Sequence, residues 1–143
     1  MIQIVISAVM DDDDVMSIAT QLELGVFNDA IKRDSAELTV GLRSILGAQL
    51  VAYIGGVRET RAVREWAQGV RRPSAPVVER LRLAYQVARL LERRESSAVV
   101  QAWFQGLNPQ LEDESPAKVI REGTPNVVGK AVIAAARTFV GSA

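Results

Sequence analysis

Neither cysteine nor histidine occurs anywhere in the sequence. The first absence excludes disulfides and thiolate metal sites. The second removes the commonest metal ligand and the usual acid–base group near neutral pH. No phosphate-cradling glycine loop is present either, so only scattered carboxylates remain for chemistry, and neither an enzyme nor a cofactor is expected. No apolar run approaches the ~18–20 residues that span a bilayer. Met1–Met10 is apolar, but it lacks the basic start and small-residue cleavage site of a secretory leader. The expectation is a cytoplasmic protein with no membrane contact.

What is present is an uneven distribution of charge. The 17 bases and 17 acids cancel over the whole chain. Residues 1–57 nevertheless hold three bases against eight acids, and residues 58–94 hold ten arginines against four glutamates. Residues 95–143 hold four bases against five acids. The central segment is therefore basic, and all of its bases are arginine. A guanidinium binds oxygen pairs bidentately, which suits phosphates and guanine edges. The same composition also suits the solvated face of a long helix.

With 143 residues, the chain can build one well-cored domain or two small helical lobes sharing a core. Strand signals are weak. Ile2–Val9 is a short β-branched stretch without a turn or a pairing run, read as a terminal arm. Asp11–Asp14 is expected to be a solvated acidic tether, the alternative being a run that favours the start of the first helix through its dipole. Val15–Leu24 and Phe27–Ile31 are expected to be helices separated by Gly25. From residue 35 the helical pattern is regular. Leu38, Leu42, Ile45 and Leu46 share a face, and Gly47 breaks the run. Leu50, Val51 and Ile54 line a short helix closed by Gly55-Gly56. A helix over about Glu59–Gln68 comes next and stops at Gly69. Arg71-Arg72-Pro73 forms a loop, Ser74 is a cap candidate, and Pro76 sits in the first turn of the next helix. That helix carries Val77, Val78, Leu81, Leu83, Ala84, Tyr85, Val87, Ala88, Leu90 and Leu91, a stripe broad enough to face two neighbours.

Further along, Ser96 or Ser97 introduces a helix over Ala98–Phe104. Gly106 and Asn108-Pro109 turn the chain, and Glu112, Asp113 and Glu114 make an acidic turn in which Asp113 or Ser115 caps the next helix. Ser115-Pro116 and Thr124-Pro125 announce two more helices, the last reaching about Val140. The expected fold is all-α: a helix-turn-helix lobe joined by a long helix to a small C-terminal helical lobe, about seven helices in all. The organisation along the chain is an N-terminal extension over 1–36, a helix-turn-helix region over 37–95 and a C-terminal region over 96–143.

Residues 46–69, LGAQLVAYIGGVRETRAVREWAQG, carry the helix-turn-helix pattern. Val63 and Trp66 hold the second helix from behind, leaving Thr60, Arg61, Arg64 and Gln68 outward. In such a motif the N-terminal half of the second helix enters the major groove. Arg61 and Arg64 then reach guanine edges or phosphates, and Arg58, Arg71 and Arg72 flank the helix as further DNA contacts. Glu59 and Glu65 oppose phosphate unless arginine pairs with them locally. Operators usually contain paired half-sites, so a homodimer is expected.

A second block, WFQGLNPQLEDESPAKVIREG over residues 103–123, resembles the toxin-binding segment of the Xre/MbcA/ParS antitoxins. Trp-Phe, Gly-Leu-Asn, the acidic turn, Ser-Pro-Ala and Arg-x-Gly recur in that family in this order. Thr60-Arg61-Ala62-Val63-Arg64-Glu65-Trp66 is similar to the Thr-x-x-Val-x-x-Trp of the family's recognition helix, and together the two segments span roughly residues 37–140. The resemblance implies an operator-binding antitoxin whose C-terminal region covers the active-site entrance of a RES-domain toxin, an enzyme that degrades or transfers NAD. The residues it marks for partner binding are Trp103, Phe104, Leu107, Ala117, Ile120, Arg121, Gly123, Val128, Val132 and Phe139. From the residues alone, Trp103, Phe104 and Leu107 are equally well read as core seals. A solo transcriptional regulator without a toxin is the alternative function.

Overall fold

The computed structural model describes residues 18–27 and 34–141. The Ile2–Val9 and Asp11–Asp14 stretches, and the expected helix beyond Phe27, lie outside the described residues. Helix α1 covers 18–27 and runs through Gly25, where a break was expected. A single glycine costs a helix only about 1 kcal/mol, which is too little to end it. Then come α2 (Ser35–Leu46), α3 (Ala48–Gly55), α4 (Thr60–Gln68), α5 (Ala75–Glu92), α6 (Ser97–Gln105), a 3-10 turn (Pro109–Leu111), α7 (Pro116–Glu122) and α8 (Pro125–Gly141). The protein is all-α, with eight helices and no strand among the described residues.

The helix starts reflect cap chemistry. Asp34 accepts from the Glu37 amide at 2.8 Å, Ser96 from Val99 at 3.3 Å and Ser115 from Lys118 at 3.2 Å. Each satisfies one of the orphan amides of a helix N-terminus. Ser74 occupies the N-cap position of α5 without a side-chain capping bond, so the proline in that first turn does more to fix the start. Both Ser96 and Ser115 prove to be the caps where sequence left a choice.

Helix α5 is the spine. Leu81, Leu83, Ala84, Tyr85, Val87, Ala88, Leu90 and Leu91 are all buried along it, and α2, α3, α6, α7 and α8 all pack against it. The broad stripe thus serves five neighbours. Helix α8 runs alongside α5: Leu83 lies beside Gly129, and Arg94 donates to the Val140 carbonyl at 3.3 Å. Helix α6 also reaches back to α2, and α7 to α3. Nearly all of the buried apolar residues from Leu38 to Ala136 consequently form one cluster. The helix-turn-helix region and the C-terminal region share a single core.

Side chains remote in sequence close the helix C-termini. Gln101 donates to the Ile45 carbonyl at 2.9 Å, ending α2. Arg80 donates to the Ile54 and Gly55 carbonyls at 3.2 and 3.0 Å, ending α3. Carbonyls in the last turn of a helix have no intrahelical partner, so these bonds tie backbone ends to the spine and to α6. Phe104 is fully buried at the centre of this arrangement. Phe104→Ala should cost about 3–5 kcal/mol of folding stability, read as a lower urea midpoint at unchanged slope. A loss below about 1 kcal/mol would contradict its place in the shared core.

Candidate nucleic-acid interface

The corner between α3 and α4 is set by close approach. A Cβ added at Gly55 would meet the Trp66 ring at 2.9 Å, so the ring lies directly on the α3 backbone. Gly56 then adopts the left-handed conformation at φ 79°, open to glycine without strain, and its amide and that of Val57 bond back to Tyr53 and Ala52 at 3.1 and 3.0 Å. Ala62, Val63 and Trp66 are buried behind α4. Thr60, Arg61, Arg64 and Gln68 are all exposed, and the four fall within an arc of roughly 100° at 3.6 residues per turn. Helix α4 therefore presents one polar stripe and hides the opposite side.

Two open concavities adjoin this stripe. One, of about 490 Å³, is lined by Val57, Arg58, Glu59, Arg61, Ala62, Glu65 and Arg71. The other, of about 730 Å³, brings Gln49, Ala52 and Tyr53 of α3 together with Arg58, Thr60, Arg61 and Arg121. Arg71 comes just after a left-handed Gly69, and its amide bonds to the Glu65 carbonyl at 3.3 Å, so it stays beside α4. Arg72 is exposed in the same loop and lines a separate depression with Asp34 and Ser35. Arg58, Arg61 and Arg71 are thus brought to one concavity, while Arg64 and Gln68 stand along the stripe.

The glutamate conflict resolves locally for Glu65. Arg61 Nε donates to its carboxylate at 2.8 Å, one turn along the helix, with the arginine side chain 73 % exposed. Exposed pairs of this kind contribute only about 0.2–1 kcal/mol, so Arg61 can exchange the carboxylate for a phosphate at small cost. Glu59 stands on the rim of both concavities, at the N-cap of α4.

The C-terminal motif residues divide into three groups. Trp103, Phe104, Ala117, Ile120 and Val132 are buried. Trp103 stacks edge-on to Phe104 with centroids 5.3 Å apart and reaches Phe139 at 6.4 Å. These five side chains are core, and none meets a partner while the fold is intact. This corrects the expectation that Ala117, Ile120 and Val132 form a surface. Gly123 is a packing position at the α7–α8 corner. A Cβ there would lie 2.6 Å from the Val128 side chain and 2.7 Å from the Val119 carbonyl. Val128 is half-buried against it. The third group is exposed: Leu107 at 75 % and Phe139 at 37 %, with Val127 at 77 % as a further exposed apolar residue outside the motif.

Arg121 goes elsewhere. Its guanidinium lies over the Tyr53 ring, 4.6 Å from the centroid, and donates to the Tyr53 carbonyl at 3.1 Å. It faces the helix-turn-helix region. Between these groups, residues 108–114 form a tight loop closed by the Asn108 amide on the Glu114 carbonyl at 3.1 Å. Glu112 and Asp113 adopt left-handed φ of 57° and 62° within it. The hydrogen bond and charge of Glu114 hold Lys118 above the ordinary lysine value of 10.5.

Sequence reasoning missed Gln49 and Tyr53, although their place opposite Leu50, Val51 and Ile54 was readable from helical spacing. It missed the capping role of Arg80, for which no local signal exists. No protein-family model, curated protein or solved structure matches the chain.

The motif's two roles separate by stability. Gly123→Ala should lose about 1–3 kcal/mol because its neighbour is backbone, whereas Leu107→Ala should change stability by no more than about 0.5 kcal/mol. Thermal or urea unfolding measures both. Equal effects would contradict the division into corner and surface.

Proposed function

We propose that the chain is a sequence-specific DNA-binding protein that inserts α4 into the major groove. The observation that carries this reading is the polar stripe of Thr60, Arg61, Arg64 and Gln68, backed by buried Val63 and Trp66 and flanked by Arg58 and Arg71. A short helix with one face locked into the core and the other lined by arginine fits the groove in shape and charge. Phosphates are held by the flanking arginines, and bases are read by the stripe.

The fuller form of the proposal is an antitoxin. The chain would repress its own operon as a homodimer and neutralise a RES-domain toxin through the C-terminal region. Its support is the resemblance of residues 103–123 to the family's toxin-binding segment. The exposed apolar residues Leu107, Val127 and Phe139 are the contacts available for that role, since the other apolar motif residues are core or half-buried. A solo regulator would keep the α4 face and lack the toxin.

Arg64→Ala and Arg61→Ala should each weaken operator binding by about 1–3 kcal/mol if they read bases, with much smaller losses on unrelated duplexes. Wild-type affinity in both variants, measured by fluorescence anisotropy, would sink the assignment of α4. For the partner, Leu107→Asp combined with Val127→Asp should abolish rescue of cells expressing the toxin while leaving DNA affinity intact. Undiminished rescue would remove those residues from the interface. Truncation after Gly106 is no test, because it removes Ile120, Val132, Ala135 and Ala136 from the core.

A further inference from the structure

Arg121 occupies a position that its place in the chain does not suggest. It lies in α7, in a region of near-neutral charge, 68 residues from Tyr53. The fold nevertheless sets its guanidinium on the Tyr53 ring at 4.6 Å, in the same concavity as Gln49, Arg58, Thr60 and Arg61. Two restraints hold it there: the ring face and the bond to the Tyr53 carbonyl at 3.1 Å. A guanidinium has five N–H donors in a planar fork, and the carbonyl takes one of them. Stacking on an aromatic face leaves the edge of the fork free to bind oxygens and lowers the entropy lost in doing so.

We infer that Arg121 is a pre-positioned phosphate contact, through which the C-terminal region takes part in binding the DNA backbone beside α4. This rests on the DNA-binding reading above and adds α7 to that interface. The geometry favours phosphate over base. Arg121 shares its concavity with the N-terminal end of α4, at the margin of the stripe, and it is anchored at the α3 backbone, where a base-reading side chain would need reach. A contact to the sugar–phosphate backbone positions α4 without reading sequence. Its partner is therefore any B-form duplex, with the same contribution on operator and random DNA.

Arg121 also bonds the end of α3, so loss of the side chain alone does not separate a phosphate contact from a structural tie. Arg121→Gln removes the charge and keeps an N–H donor for the Tyr53 carbonyl. Tyr53→Leu keeps the charge and removes the ring that orients it. Affinity should be measured on one operator-like and one random duplex across a salt series. In Arg121→Gln, log K against log salt should become shallower by about 0.9, with the same several-fold loss on both duplexes. Tyr53→Leu should lower affinity by a smaller factor at wild-type slope. A wild-type slope in Arg121→Gln, whatever its affinity, would overturn the phosphate contact and leave a structural tie. Loss confined to one duplex would overturn it in favour of base reading. If the wild-type chain binds neither duplex, the DNA reading itself fails, and this inference fails with it.

Discussion

Burial of α5 on most of its circumference is the constraint on which the remaining structure depends. A helix buried on several faces cannot be covered by one neighbour, and here five helices share the task. That arrangement fixes their relative positions to the tolerance of close packing. It also explains why the helix ends are tied by long-range side chains. Arg80, itself on α5, ends α3, and Gln101 on α6 ends α2. The two helices that lead into the α3–α4 corner are thus referenced to the spine and to α6 at their C-termini, where backbone carbonyls would otherwise lack partners.

The exposed face of α4 depends on that anchoring. Trp66 is pressed onto α3 at Gly55, and Val77 of α5 lies on the same spot. The back of α4 is therefore locked against α2 and α3, and its arginine stripe has one available orientation. The C-terminal helices contribute to the same rigidity by packing Phe104 and Ile120 into the common core. A motif that resembles a partner-binding segment is consequently half structural. Its apolar interior supports the α3–α4 corner, and only its outer residues are left for a partner.

The helices from residue 35 onward were legible in the sequence, because most of their starts carry Ser, Asp or Pro and most of their ends carry glycine. Their order and the inward faces of α2, α3, α4 and α5 were also legible, since each is long enough for the 3.6-residue period to register. Helix α7, at Pro116–Glu122, is two turns long. Ile120 and Arg121 were assigned together to a partner surface through the family resemblance, which marks motif positions without regard to which side of the helix is buried. The structure sends Ile120 inward and Arg121 to Tyr53. Gly25 does not break α1, since the propensity penalty of one glycine is small and the helix is also held to α8 by the Glu23–Arg137 ion pair at 2.8 Å. The contacts of Arg80, Gln101 and Arg121 join residues 25 to 68 positions apart, and only the packing of the chain brings them together.

Whether α4 is the DNA-facing helix is tested most directly by titrating the isotope-labelled chain with duplex DNA and monitoring each residue in amide NMR spectra. Shifts are expected at Arg58, Thr60, Arg61, Arg64, Gln68 and Arg71, with Arg121 joining them, and silence along the exposed side of α8 around Val127 and Ala131. Shifts centred on α8, or none at saturating DNA, would contradict that assignment.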